Sequence, residues 1–438
     1  MHDLVLENCS LLHKGDVVEA HILLKDGLIE KISKEKIQAT GAKTIDCLGK
    51  FVFPGLIDPH VHFRFPGNEE KEDWETGSRA ALAGGITTVL DMPNNSPPIV
   101  TVLSLEAKRK AVAKTAMVNF GFHFGAVPGN ENEISTAKKI KSVKIYSAFS
   151  TGNLLLESQK SLERVFEIAR KKNLVTCVHA ENNALNEKNK KRLAKLSDPL
   201  IHSRARPAKS EAIAVEQMLL TQKKIKNRIY FCHISSKEGI ELIREAKNET
   251  DGVFCEVSPH HLLLNEKSIE KLRNFGKVNP PIRSEKDRLA LWKAVNDGTV
   301  DVIGSDHAPH LSSEKKQPYW QAPSGMPGVQ TMLPLLLDAC SKKQISLEKI
   351  SELCSANPAR IFGIESKGAV KEGFDADLAV VDLSKTRVIH NRDMFYKCGW
   401  TAFNGERAKG AVEKTIVRGE VVFDNGKFLE NFFGKEVF

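Results

Sequence analysis

The chain has 438 residues, 41% of them hydrophobic and 27% charged, which is ordinary globular usage and excludes collagen-like, low-complexity and wholly disordered chains. At about 150 residues per domain the length allows up to three domains, or one barrel of roughly 250 residues with a smaller companion. The net charge of +9 would suit nucleic acid or an anionic small substrate. Its basic residues are spread over helical stretches at 108–114, 138–144 and 188–195 without interleaved aromatics, which is the pattern of solvated helix faces and argues against a nucleic-acid partner.

The first ten residues alternate like a strand and lack the basic-then-apolar layout of a secretory signal. No apolar run approaches the roughly 18 residues of a membrane span. Eight cysteines are scattered without a CxxC pair, as expected of reduced thiols. These features predict a cytoplasmic protein with no membrane partner.

Residues 1–53 predict short strands at 3–12, 17–25 and 27–32 and no helix. Beyond them, eight β-rich runs at 51–62, 86–93, 118–126, 143–149, 174–180, 228–234, 252–259 and 300–306 alternate with helical patterns at 103–115, 161–172, 236–246, 285–296 and 331–340. From about residue 367 strands return, at 377–382, 411–418 and 420–424. The alternation predicts an α/β fold, a (β/α)8 TIM-like barrel over 54–366. The β-only ends, 1–53 and 367–438, pair into one small composite β-sandwich, since chain termini often lie close together.

In such a barrel the C-terminal ends of the strands form the active-site face. The first run ends in Asp58-Pro59-His60-Val61-His62. Alternate residues of a strand point to one side, so both imidazoles face one point and can chelate one metal. The fifth run ends at His179, the sixth at His233 and the eighth at Asp306, each a ligand type suited to zinc. Singly, any of them would be a structural or surface residue; four histidines and an aspartate at four strand ends are hard to obtain from packing alone. The fourth run carries Lys144 among Val143, Ile145 and Tyr146, a costly position unless the amine is paired, modified or aimed at the site.

Five segments carry a family resemblance: Asp58-Pro59-His60-Val61-His62-Phe63-Arg64-Phe65-Pro66-Gly67, Asp91-Met92-Pro93-Asn94-Asn95, Cys255-Glu256-Val257-Ser258-Pro259-His260-His261, Val278-Asn279-Pro280-Pro281 and Ser305-Asp306-His307-Ala308-Pro309-His310. On these the chain resembles the class I dihydroorotases of the amidohydrolase superfamily over essentially the whole barrel. The resemblance implies two zinc ions, one held by His60, His62 and Asp306 and the other by His179 and His233, bridged by Lys144 carboxylated on its amine. Many bacterial relatives place an aspartate of the metal site shortly after the fourth strand. Here residues 147–153 read Ser-Ala-Phe-Ser-Thr-Gly-Asn, which leaves the lysine as the anionic bridge that two close dications need.

The implied activity is the reversible cyclisation of N-carbamoyl-L-aspartate to dihydroorotate and water, in pyrimidine biosynthesis. A hydroxide between the metals would attack the ring amide, with Asp306 as general base and then general acid. The resemblance also implies a homodimer and an association with aspartate transcarbamoylase.

Arg64 lies two residues after His62, on the same side, and offers a planar fork to a carboxylate, unless it forms a surface salt bridge. The resemblance implies that Asn94 and His310 join it. Asn279 would hydrogen-bond the ring or make an Asx turn. Residues 311–328 form a long loop whose backbone near Pro323 and Gly325 touches substrate. His260, His261 and His307 are expected as supporting groups, Cys177 and Cys232 as small buried hydrophobes. Two rivals share parts of this pattern. An allantoinase or dihydropyrimidinase would share the ligands, but its neutral ring leaves Arg64 without a carboxylate. A non-catalytic relative would lack ligands, and here all six metal positions carry competent side chains.

Overall fold

The computed structural model describes every residue except Met1, His2, Lys14, residues 151–153 and Pro199, and only the backbone of His13. Eight parallel strands follow one another in chain order around a barrel: Leu56–Val61, Ile86–Asp91, Asn119–Gly125, Ser142–Tyr146, Val175–His179, Arg228–Phe231, Val253–Val257 and Val302–Ile303. Each overlaps one of the eight expected runs. Nearly all their residues are buried, because helices cover the outer face and side chains fill the inside, which is why the runs are almost continuously apolar. The ladders stop short of the apolar pattern where the chain bends away to carry His62, His233 and Asp306.

Packed outside are the helices Trp74–Ala83, Val102–Val112, Gln159–Lys171, Ala208–Ile225, Lys237–Glu249, Glu285–Asn296 and Met332–Ser341. Their starts are fixed locally. Asp73 accepts from the Thr76 N–H at 2.9 Å, and Ser236 from the Gly239 N–H at 3.0 Å, each satisfying a donor that the first helical turn cannot. Of these seven, two were not anticipated, Trp74–Ala83 and the 18-residue Ala208–Ile225. The inward face of the latter includes Ser210, Glu211, Thr221 and Gln222, which blurs its apolar period.

The barrel seam between the first and eighth strands is not a regular ladder. A bridge pairs Val61 with His307, the His62 N–H donates to His307 O at 2.8 Å, and the Ser305 N–H donates to Asp58 Oδ1 at 3.1 Å. The same Asp58 oxygen accepts from the His60 N–H at 3.2 Å. One buried carboxyl therefore holds the His60 strand against the strand end that carries Asp306.

The two chain ends build a nine-stranded sheet. Phe51–Pro54 pairs antiparallel with Leu378–Val388, Leu378 opposite Pro54, and the first barrel strand follows after Gly55. A Cβ on Gly55 would sit 2.3 Å from Thr87 Oγ1, so only glycine fits at this junction. The last residues leave the sheet and return to the barrel's underside. There the Val437 N–H donates to Phe120 O at 2.8 Å, and Val437 joins Ile361, Phe362 and Ile364 in one apolar cluster with the interior residues Ile57, Leu90, Cys177, Tyr230 and Val302. No helix among the described residues is long and apolar enough to cross a membrane.

Candidate active site

The residues at the upper strand ends converge. Ligand atoms of His60, His62 and Asp306 all lie within 4.8 Å of one another. His62 Nε2 is 3.1 Å and His60 Nε2 3.4 Å from Asp306 Oδ1. Their other nitrogens are engaged: His60 Nδ1 lies 2.7 Å from Glu256 Oε1, and His62 Nδ1 donates to Asn94 Oδ1 at 2.6 Å. Nε2 of each ring is left to face the cluster, the arrangement in which an outer partner orients a metal-binding imidazole. Gly304 makes room for Glu256, since a Cβ there would meet Glu256 Oε2 at 2.7 Å.

His179 and His233 form the second pair, His179 Nδ1 being 3.1 Å from His233 Nε2. The His60 and His233 rings, 5.1 Å apart, link the two pairs. His179 Nε2 is 2.7 Å from Glu181 Oε2, and Arg206 clamps the same carboxylate, its Nε donating to Oε1 at 3.0 Å and its second nitrogen to Oε2. Burial alone would raise Glu181, but Arg206 and His179 outweigh it and hold the carboxyl well below its usual range. His233 Nδ1 is buried without a hydrogen-bond partner among the described residues. His233 and Asp306 have φ of 35° and 45°, in the left-handed region, at a cost of about 1–3 kcal/mol each that the surrounding fold must sustain.

Burial holds His60, His62, His179 and His233 below the ordinary imidazole value, in the neutral form that ligates metal. Burial raises Asp306 to about 7, and nearby Lys144 and His179 hold it from going higher. This donor set, with the Nε2 atoms of His60 and His62 turned to the Asp306 carboxylate on one side and His179 Nδ1 and His233 Nε2 turned to each other on the other, fits a divalent metal of the zinc type.

Lys144 is fully buried and acts electrostatically on His60, His62, His179, His233 and Asp306. It does not line the pocket. Its Nζ donates to Cys232 Sγ at 2.9 Å, so Cys232 does more than fill space. Arg64 is buried and, among the described residues, forms no salt bridge. Its Nε donates to Pro309 O at 3.0 Å and its Nη2 is 3.2 Å from His310 Nε2.

The pocket itself is lined by His60, His62, Arg64, Asn94, His179, His233, Asp306 and Gly325, and also by Tyr146, Ser150, Asn279, Ala308 and Ser324. Beside it, sharing Ser150, Asn279 and Ser324, lies a cavity of about 380 Å³ lined also by Pro323, Arg206, Lys277, Phe149 and Trp320. Asn279 is split between two tasks, its Oδ1 lying 2.8 Å from His202 Nε2. His310 sits behind Arg64, within 3.1 Å of Ser324 O. Residues 151–153 of the acid-free stretch lie outside the described residues.

His307 supports the seam as expected: its Nδ1 accepts from the Gly328 N–H at 3.1 Å, and its Nε2 faces Glu72 at 3.4 Å. His261 Nε2 donates to Pro280 O at 3.0 Å. Sequence reasoning gave no role to Glu256, Glu181 with Arg206, or Asp58. The one available signal was a glutamate inside the apolar run Val253–Val257, costly to bury unless something beside it takes its hydrogen bond.

The chain is 38% identical to the dihydroorotase of Methanosarcina acetivorans, over 98% of this chain and 96% of that one. It is 33% identical to the L-hydantoinase of Paenarthrobacter aurescens, over 100% and 98%. The solved L-hydantoinase (dihydropyrimidinase) from Arthrobacter aurescens superposes with a TM-score of 0.96 at 33% identity, covering all of both chains. Residues 51–422 match the Amidohydrolase family, and the chain belongs to it.

Proposed function

We propose that the protein is a dihydroorotase, which interconverts N-carbamoyl-L-aspartate and dihydroorotate plus water. The observation that carries this reading is the buried Arg64 guanidinium beside His310, within the pocket that holds the His-His-Asp cluster. Full-length relatives named dihydroorotase support it. In our reading His60, His62 and Asp306 would hold one zinc and His179 and His233 a second, with Lys144, carboxylated on its amine, as the anionic ligand they would share. Zinc bound there supplies Lewis acidity at the amide carbonyl and acidifies water near neutral pH.

The chain's own groups do the rest. Arg64, with Asn94 and His310, takes the ring carboxylate and sets the amide against the cluster. Asp306 accepts a proton on its carboxylate from the attacking water and returns it to the departing ring nitrogen. Ring closure runs the same transfers backwards. Glu256, Asn94 and Glu181 fix which nitrogen each imidazole presents. Asn279 and the backbone at Pro323 and Gly325 contact the ring.

The hydantoinase likeness favours a second reading, a cyclic amidase for neutral rings. Hydrolysis of dihydroorotate by zinc-loaded protein, with hydantoin and dihydrouracil in parallel, separates the two: turnover of neutral rings alone would exclude the first. Incorporation of ¹³C-labelled bicarbonate, read by NMR, tests the lysine carbamate. The domain limits 54–366 for the barrel and 1–53 with 367–438 for the sandwich belong to this reading. So do a cytoplasmic homodimer and its docking on aspartate transcarbamoylase, which rest on the family resemblance. Light scattering tests the dimer.

A further inference from the structure

We propose that Lys315 is a positioning residue whose ammonium straps together the two chain segments that wall the substrate pocket, an inference that rests on reading this pocket as the substrate site. Lys315 closes the short helix Ser312–Lys315, and its side chain is fully buried. Its Nζ donates to Pro323 O and Gly325 O, both at 2.9 Å, and to Lys277 O at 3.1 Å. Among the described residues it makes no ion pair with a carboxylate. The adjacent Glu314 instead pairs with Lys71 at 2.7 Å.

A buried ammonium is normally tolerated because an anion faces it. Here three carbonyl dipoles fill that place, and they come from two segments far apart in the sequence. The Trp400 ring, 5.8 Å from Nζ, covers the group, and Trp400 Nε1 donates to His310 O at 2.7 Å.

These segments are the ones that touch the pocket. The carbonyl of Lys277 precedes Val278 and the pocket-lining Asn279, and it also accepts from the Gly325 N–H at 2.9 Å. Ser324, between the two other strapped carbonyls, lines the pocket and presents its own carbonyl to His310 Nε2 at 3.1 Å. That ring is the neighbour of the Arg64 fork. Gly325, at φ +142°, lies so close to Ala308 that a Cβ would meet Ala308 O at 2.6 Å, so the wall leaves no slack for a displaced backbone. Lys277 makes a second strap on the earlier half of the loop, its Nζ donating to Tyr319 O at 2.7 Å and Ala322 O at 2.6 Å. Without the Lys315 ammonium the carbonyls of Pro323 and Gly325 lose their shared donor, and among the described residues the direct hydrogen bonding of 323–325 to 277–279 falls to the one from the Gly325 N–H, with Lys277 Nζ still holding the preceding Ala322. The strap acts on the wall and not on the reacting atoms, so its loss weakens binding and spares the chemical step.

The test uses the zinc-loaded full chain carrying Lys315→Met, and Lys315→Gln as a shorter neutral donor. For Lys315→Met we expect KM for dihydroorotate to rise about tenfold with kcat within about threefold, the signature of lost ground-state binding. Zinc content should hold, and hydrogen exchange should quicken in peptides across 321–328 but not in the barrel strands. Lys315→Gln should fall between that variant and the parent. Unchanged KM and unchanged exchange in Lys315→Met would overturn the proposal, and so would exchange that quickens throughout the barrel with loss of zinc. Should Lys315→Met not fold, Lys315→Gln decides by the same two readouts. A parent protein without dihydroorotate turnover would sink the functional reading, and exchange alone would then judge the strap.

Discussion

The two ends of the barrel are made from the same eight strands and solve opposite problems. At the lower end Ile361, Phe362, Ile364 and Val437 close the interior with apolar contact, which is non-directional and needs no partner atom. At the upper end nearly every buried side chain is polar, and its position is dictated by another: His60 by Glu256, His62 by Asn94, His179 by Glu181 and Arg206. Two upper residues, His233 and Asp306, also carry left-handed backbone. Stability and chemistry are thus placed at separate ends of one scaffold, and substitutions at the two ends should fail differently.

The largest effect is expected at the upper end. Asp306→Ala removes both a ligand and the proton carrier, so kcat for dihydroorotate should fall by about a thousandfold or more. The thermal midpoint of the metal-stripped variant should stay near that of the stripped parent, because the gain from removing a desolvated carboxyl offsets the cost of alanine in the left-handed backbone there. A midpoint that collapses would show that the upper end also supports the fold.

At the lower end Phe362→Ala is the counterpart. Phe362 is 4% exposed and packs edge-on against Tyr230, ring centres 5.1 Å apart. Its truncation should cost about 3–5 kcal/mol of stability in a denaturant titration. Below the melting range kcat and KM should match the parent. A changed kcat would mean that the plug reaches the site through Tyr230, whose hydroxyl donates to Glu256 at 2.8 Å.

Arg64→Ala tests the part of the upper end that reads substrate. We expect kcat/KM for dihydroorotate to fall about a hundredfold, as when a buried bidentate partner is removed. Turnover of hydantoin should not fall with it. Equal losses on both rings would make Arg64 a structural residue of the loop at Pro309.

How much of this was legible in the sequence follows the same division. The strands were legible because burial on both faces leaves long apolar runs. The ligands were legible because histidines and an aspartate interrupt those runs at their ends. The groups that orient the ligands were not: Glu256 lies 196 residues from His60, and Arg206 lies 25 residues from Glu181, so no local pattern joins them. Lys315 is the sharpest case. It sits beside exposed Lys316 in a polar stretch, and only the folded loop shows that one of the two is buried on three carbonyls.

The smallest effect is a difference in acid sensitivity between the ends. Burial holds ten histidines below the ordinary imidazole value of 6.5: His60, His62, His123, His179, His202, His233, His260, His261, His307 and His310. Unfolded, each takes a proton as the pH falls through 6.5; folded, it resists, so its contribution to stability is whole above that value and drains away below it. The buried carboxyls Asp58 and Asp306, raised to about 7, and Asp91, raised to about 6, pull the other way. Their contribution is present at low pH and is lost as the pH rises through those values. Glu256, raised by burial, acts in the same sense. The imidazoles outnumber these carboxyls, so the thermal midpoint of stripped protein should fall from pH 7 to pH 5. Zinc should steepen the fall, because the ligand imidazoles must be neutral to bind it. Of the ten imidazoles His123 touches the plug, edge-on to Phe362 with ring centres 5.7 Å apart, so Phe362→Ala should shift the whole midpoint curve down and flatten its slope by no more than one imidazole's share. A slope that flattens by more than that in Phe362→Ala would show that the lower end governs protonation at the upper one, and the separation of the two ends would fail.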